Sequence, residues 1–323
     1  MKAIVQDRYG EAEVLRLEDV PMPTIGDGDV LVRVRAAGLE RGVWHLMAGR
    51  PYAVRLAFGL SSPKVRIRGV DFAGTVEAVG KLVTRFQVGD EVFGAARGAF
   101  AEFVVAKESQ IVTRPEAVSV EEAAALAVSG CTALQALRRS GVKAGQKVLV
   151  IGASGGSGAM AVQLAVAMGM VVTGVCSGSK AEFVRGLGAE RVIDYRHEGC
   201  ETWGRGYDAI LDLAGSRPLS VLRRMLKEDG TIVIIGAENG GDWIGSFTRG
   251  LTGLAMGPFW RQKVVSLLAV VGGEDLSEVA KRVCGENWRR VVGHRYALAD
   301  AVKAVQDMQD GLLTGKAVIV VRG

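Results

Sequence analysis

Lys147-Val148-Leu149-Val150-Ile151-Gly152-Ala153-Ser154-Gly155-Gly156-Ser157-Gly158 is an apolar run entering a glycine-rich turn. An apolar-periodic segment follows, Ala159 to Met168, and then a β-rich run, Val171-Val172-Thr173-Gly174-Val175. Strand, glycine turn, helix and strand within about thirty residues form the βαβ context that a dinucleotide fingerprint requires. The glycines have separate jobs. Gly155 lets backbone approach a pyrophosphate with no Cβ in the way. Gly158 lets the helix pack close to the strand. The helix N-terminus offers N–H groups and the positive end of its dipole. Ala153, Ser154, Gly155, Gly156 and Ser157 are the expected phosphate-binding residues. A tight structural turn also needs glycine, so the flanking strands and helix carry the assignment.

The end of the second strand bears on the choice of dinucleotide. An NAD site places Asp or Glu about twenty residues after the glycines, on the adenosine ribose hydroxyls. Here the strand runs into Cys176-Ser177-Gly178-Ser179-Lys180, and Glu182 comes only inside the next helix. The hydroxyls of Ser177 and Ser179 and the Lys180 ammonium suit a 2′-phosphate. NADPH is therefore the expected cofactor. The competing reading is an ordinary helix start, with Ser179 as N-cap and Lys180 in solvent.

Composition sets the frame. The chain has 323 residues, enough for two domains, and 49% are hydrophobic. With 44 Gly and 7 Pro it fits turn-rich α/β architecture rather than collagen or disorder. The net charge is +5, and the basic clusters at Lys64-Val65-Arg66-Ile67-Arg68, Arg223-Arg224 and Arg289-Arg290 are interrupted. With no recognition motif beside them they read as solvated surface, so no nucleic-acid partner is expected. Cys131, Cys176, Cys200 and Cys284 lack metal-ligand spacing and read as reduced thiols. The chain begins on a strand-like run, Lys2-Ala3-Ile4-Val5, without a signal-peptide pattern. No charge-free run reaches the length of a membrane helix. A soluble cytoplasmic protein without a membrane partner is the expectation.

The first third reads as short strands punctuated by glycine: Val30–Ala36, Gly74–Gly80, Asp90–Gly94 and Ala101–Val105. That density suggests a small barrel. Ser119-Val120-Glu121-Glu122 resembles a capping box entering a helix through Ala123 to Leu126. Beyond it strands alternate with helices. Ile193, Ala209–Leu213 and Thr231–Gly236 read as successive buried parallel strands, and Ala317–Val321 returns to β. A β-rich domain built from both chain ends, with a doubly wound domain between them, follows.

The motifs then resemble a known family along essentially the whole chain. They are Gly69-Val70-Asp71-Phe72-Ala73-Gly74-Thr75-Val76, Val88-Gly89-Asp90-Glu91-Val92-Phe93-Gly94, Thr132-Ala133-Leu134-Gln135-Ala136-Leu137, the glycine loop, Leu187 to Tyr195, Tyr207 to Asp212, and Gly315-Lys316-Ala317-Val318-Ile319. Together they resemble the medium-chain dehydrogenase/reductase superfamily, and most of all its zinc-free quinone oxidoreductase branch. The resemblance implies an α/β chain with two domains. A GroES-like β-barrel catalytic domain would span 1–122 and 271–323. A Rossmann doubly wound parallel-sheet domain binding NADP(H) would span 123–270. It also implies a homodimer through edge strands of the Rossmann sheet.

Zinc-dependent relatives carry an early Cys, a Gly-His-Glu and a four-cysteine lobe. This chain has Gly38 and Leu39 near the first place, Gly69-Val70-Asp71 at the second, and no cysteine cluster. His45, His197 and His294 are far apart in sequence, so no metal is expected. By resemblance, Thr132 faces the nicotinamide or its ribose-phosphate; the competing reading is a helix-interior Thr bonding its own backbone. Ile235-Gly236-Ala237 ends a parallel strand at the switch-point side, where its backbone could hold the carboxamide. Tyr195 reaches the 2′-phosphate in the family, against a Tyr merely capping a core edge. Lys316, in the Gly315-Lys316 motif, is placed at the cofactor as well.

The substrate side departs from the pattern. Quinone reductases show an Asn and an Asp where Glu40 and Val43 stand here. Glu40, Trp44 and Tyr52 are the catalytic candidates beside Thr132, and Trp44, His45 and Tyr52 could donate to a carbonyl oxygen. Trp44 as barrel core is the alternative. The aromatic-rich stretch Trp243 to Trp260 reads as a lid over an apolar substrate, a dimer contact or a plain amphipathic helix. The function expected is zinc-independent hydride transfer from NADPH to a small hydrophobic carbonyl substrate, a quinone or an α,β-unsaturated carbonyl. A metal-free alcohol/ketone oxidoreductase and a non-catalytic NADPH sensor are the alternatives.

Overall fold

The computed structural model describes residues 1–236, 260–285 and 288–321. Ala237 and most of the aromatic-rich stretch from Trp243 lie outside the described residues. The chain divides into two compact units. The first comprises Met1–Cys131, Val270–Gly285 and Arg290–Gly323; the second comprises Thr132–Ala269 with Glu286–Arg289.

In chain order the described strands are β1 (Lys2–Val5), β2 (Arg16–Asp19), β3 (Asp29–Leu39), β4 (Asp71–Val79), β5 (Glu91–Ala95), β6 (Phe103–Lys107), β7 (Ile111–Thr113), β8 (Lys147–Ile151) and β9 (Val171–Cys176). Then come β10 (Arg191–Asp194), β11 (Tyr207–Asp212), β12 (Leu226–Ile234), β13 (Lys263–Ser266), β14 (Val292–Ala297) and β15 (Lys316–Val320).

The first unit is built on a seven-stranded sheet of order β14-β15-β3-β4-β5-β7, with β6 pairing β3 off that path. Its long strand β3 alternates Val30, Val32 and Val34 into the core with Arg33 and Arg35 outward, the period-2 pattern of a sheet with one wet face. The core gathers Val32, Phe72, Val92, Phe100, Ile111 and Ile319. β15 is antiparallel to β3, so the last strand of the chain seats beside one of the first.

The second unit is a six-stranded, all-parallel sheet of order β10-β9-β8-β11-β12-β13. The strand order reverses between β8 and β11, which creates the switch point of a doubly wound fold. Continuous apolar runs fit strands covered on both faces: Val148–Ile151 and Ala209–Leu211 are fully or almost fully buried. The helix Gly156–Ala167 follows β8 and buries every residue from Gly158 to Ala165.

The unit boundary differs from the expected 122/123. The short helix Val120–Ala124 lies on β3, and Gly38, lacking a Cβ, admits the Ala124 carbonyl at contact distance. Asp71 Oδ1 then accepts from Val128 N at 3.0 Å, fixing the start of the next helix, Ala127–Ser140, to the barrel. The capping box is only half made. Ser119 Oγ accepts from Glu122 N at 3.2 Å. The Glu122 carboxylate does not return to Ser119; it accepts from Val291 N and Val292 N, both at 3.2 Å.

Candidate functional site

The carboxyl ends of β8, β9, β11 and β12 assemble the nucleotide side in the second unit. After Ile151 the chain turns at Gly152, whose φ of +88° favours glycine. Gly152 N and Ala153 N both donate to Val175 O at 3.0 Å, tying the turn to β9. A Cβ on Gly158 would run into Gly152 O. That contact is the close helix–strand approach expected there.

Gly155 is different. Its φ of −81° and ψ of 173° are extended backbone open to any residue. A Cβ there would meet only Gly152 O, at an ordinary 3.5 Å. Among the described residues, neither strain nor packing asks for glycine here. Gly155 is the N-cap of the helix Gly156–Ala167 and supplies no side-chain cap. First-turn N–H groups suit an anion such as a pyrophosphate.

Next to this turn, β9 and β10 bring four predicted residues together. Ser177 Oγ lies 3.4 Å from Ser179 Oγ, and Lys180 N donates to Ser177 O at 2.9 Å. Tyr195 N donates to Cys176 O at 3.2 Å, and the Tyr195 side chain is exposed. Arg196, which sequence reading passed over, lays its guanidinium 5.9 Å from the Tyr195 ring centroid. Burial, with the Arg196 charge adding to it, holds Lys180 below its ordinary pKa. Burial also pushes the Cys176 thiol up to about 11, Asp194 adding to it, so Cys176 is no nucleophile at neutral pH. The carboxylate of Asp194, at the end of β10, packs against Gly178 within this group and accepts from Arg196 N at 3.0 Å. Two hydroxyls, a phenol and two cations are a donor set for a phosphate.

At the switch point, Ile235 N and Gly236 N donate to Asp212 O at 2.9 and 3.0 Å. Gly236 has no room for a side chain against the Leu213 carbonyl. This stretch therefore presents backbone at Gly236, with both N–H groups already donated to Asp212. Thr132 is buried in the second turn of the helix Ala127–Ser140.

In the barrel unit, Glu40, Ser129, Lys316 and Asp71 form a buried cluster. The Lys316 ammonium pairs with Glu40, donates to Ser129 Oγ at 3.2 Å and lies 3.8 Å from Asp71 Oδ2. Ser129 Oγ also reaches Glu40 Oε2 at 3.3 Å. Burial pushes Lys316 down to about 7 and holds Asp71 well above the usual carboxylate range. Glu40 stands at the N-cap of the helix Arg41–Ala48, yet its carboxylate serves Lys316 instead of capping.

These contacts correct three expectations. Lys316 is 1% exposed and turned to Glu40, so it has no surface for a cofactor. Glu40 is taken by Lys316 and Ser129 rather than offered to substrate. Trp44 donates its Nε1–H to Glu11 Oε2 at 2.9 Å, so that proton is not available to a carbonyl. His45 Nδ1 lies 3.0 Å from Arg50 O. Tyr52 is partly exposed beneath the Arg55 guanidinium, 4.7 Å from its ring centroid. The cluster was not legible in sequence, because its members are separated by as many as 276 positions.

Among the described residues, no group of three His, Cys, Asp or Glu could hold a metal ion, and no helix is long and apolar enough to cross a membrane.

Comparison with known proteins fits this arrangement. Residues 26–116 match the alcohol dehydrogenase GroES-like domain, and residues 187–319 match the zinc-binding dehydrogenase family. A chloroplast envelope quinone oxidoreductase homolog from Arabidopsis thaliana is 34% identical over 336 residues, covering 99% of this chain and 98% of its own. The structure of the quinone oxidoreductase from Coxiella burnetii has a TM-score of 0.88 at 32% identity, covering 100% of this chain and 99% of the other. A mycobacterial structure complexed with NADPH has a TM-score of 0.83 at 29% identity, over 99% of each chain. With both domains matched in order and relatives similar from end to end, the chain belongs to the medium-chain dehydrogenase/reductase superfamily, on its quinone oxidoreductase-like branch.

Proposed function

We propose that this chain is a zinc-independent, NADPH-dependent reductase of a conjugated carbonyl, a quinone or an enone. The observation that carries the reading is the donor set at the ends of β9 and β10. Ser177, Ser179, Lys180, Tyr195 and Arg196 gather where an NAD site would place a carboxylate. The NADPH complex of the mycobacterial relative supports the same cofactor.

In this reading Ala153 to Ser157 hold the diphosphate against the helix N-terminus. Ser177, Ser179, Lys180 and Tyr195 hold the 2′-phosphate. Thr132 and the Ile235–Gly236 backbone orient the nicotinamide. NADPH, when bound, supplies the hydride. The chain then has little covalent work: it positions the acceptor and excludes water, and the balancing proton comes from solvent or a pocket donor. With Trp44 and Glu40 engaged elsewhere, His45 and Tyr52 are the other candidate donors in the barrel unit. Zinc independence is supported by the Lys316 ammonium, which is the cation lodged between Glu40 and Asp71.

NADPH oxidation against quinones, enones and aldehydes, before and after prolonged chelation, tests the reading. Turnover of quinones or enones that prefers NADPH to NADH and survives chelation is expected. Loss of activity on chelation, restored by zinc, would overturn the metal-free part. Tight NADPH binding with no turnover would favour the sensor reading, which the commitment of Glu40 and Trp44 to internal partners keeps open.

A further inference from the structure

The barrel unit contains a pocket that opens to solvent. Its apolar wall includes Val43, Leu46, Phe58 and Val70. Its charged groups are Lys64, Arg68 and Arg97, and among the described residues no carboxylate lines it. Arg68 is the informative one. It is 6% exposed, and its Nε has no hydrogen-bond partner. Its backbone is held by the sheet, with Arg68 N donating to Ile4 O at 3.0 Å and Phe100 N donating to Arg68 O at 2.8 Å. Burial lowers its pKa to about 10, and the Arg97 charge pushes the same way. Arg97 lies over the Phe58 ring, 4.9 Å from the centroid, at the exposed side of the cavity.

Two other buried charges of this unit are answered from within. Lys316 has Glu40, and Glu122 has two backbone N–H groups. A buried guanidinium facing a cavity with two further cations and no acid is costly unless an anion completes it. The planar fork of an arginine suits a carboxylate or a phosphate. The cavity also adjoins the buried cluster along the chain: Val43 lies in the helix begun by Glu40, and Val70 precedes Asp71.

We infer that this cavity binds the anionic group of an amphipathic ligand, a carboxylate or phosphate on an apolar body. Arg68 meets the anion at the buried end, and Arg97 and Lys64 meet it at the exposed end.

Equilibrium titration of the cofactor-free protein with naphthoate, naphthyl phosphate and neutral naphthalenemethanol reads the cavity without turnover. At least one anion binds tenfold or more tightly than the alcohol, and the stronger of the two identifies the source of the negative charge. Arg68→Gln and Arg97→Gln each reduce that preference fivefold or more. Arg97 is exposed, so its variant keeps the test alive should Arg68→Gln fail to fold. Equal binding of all three compounds overturns the inference, as does an anion preference untouched in the Arg97 variant and in any folded Arg68 variant.

Discussion

Gly155 and Gly158 lie three residues apart and fail differently when changed. A side chain at Gly158 collides with the Gly152 carbonyl, a backbone atom with nowhere to move. Gly158→Ala should lower stability by about 1–3 kcal/mol, as overpacking does, seen as an earlier thermal or urea transition. At Gly155 the backbone is unstrained and the Cβ position open. Gly155→Val should leave stability within about 0.5 kcal/mol while abolishing NADPH binding in a fluorescence titration. An early-melting variant that still binds NADPH would count against the phosphate cradle. Lys180→Ala removes one charge-assisted bond from a half-buried position. It should weaken NADPH by about 1.5 kcal/mol, roughly tenfold, and leave NADH almost unchanged. Asp71 gives the pH prediction. Burial raises its pKa well above the usual range in the folded state, so above about pH 4 the folded chain holds a proton that the unfolded chain has released. Stability contributed by this group therefore falls as pH rises. Asp71→Asn keeps an acceptor for Val128 N and cannot titrate, so its stability relative to wild type should rise with pH. The slope should reach at most about 1.4 kcal/mol per pH unit, read from urea unfolding at several pH values.

Among the elements, those formed from contiguous chain were readable. β8, the glycine turn, the helix Gly156–Ala167 and β9 are neighbours in sequence and in space, and their apolar periodicity shows. β14 was missed because its burial alternates through Gly293, His294 and Arg295, which gives no apolar run. β13 was missed because it is four residues long. The capping box was read correctly at Ser119, but its acid has a distant partner that no local pattern announces. Arg196 had a signal, a cation directly after Tyr195, but its ring contact needed the turn after β10 to be seen. Ser129 sits one helical turn before Thr132, yet only the arrival of β15 gives it Lys316 to bind. Glu122 makes the element-scale prediction. Glu122→Ala leaves Val291 N and Val292 N without their acceptor, Val291 being buried. A loss of about 1–3 kcal/mol is expected. Hydrogen exchange should show those two amides, and the start of β14, losing protection first.

For the molecule as a whole, NADPH at a hundred times its Kd should add about 2.7 kcal/mol of stability. With two compact units, that gain should fall on the calorimetric transition of the second and leave the barrel transition little moved. The expected homodimer is checked by sedimentation, where a species of twice the 34.1 kDa chain mass should appear. The strand order of the barrel unit also constrains how the molecule is made. β15 lies between β14 and β3, so the sheet cannot close until residues 316–320 exist. At about 5–20 residues per second of synthesis, β3 waits roughly 15–60 s for its partner. The second unit has five of its six strands in the one contiguous stretch from Lys147 to Ile234, 88 positions, and meets no such delay. During that interval the nascent barrel exposes one flank of β3, with Ala36 to Leu39 unpaired on that side. A cell making this protein must shield that flank until residues 316–320 have been made, which makes the arrival of β15, rather than formation of the nucleotide fold, the event that completes the barrel sheet.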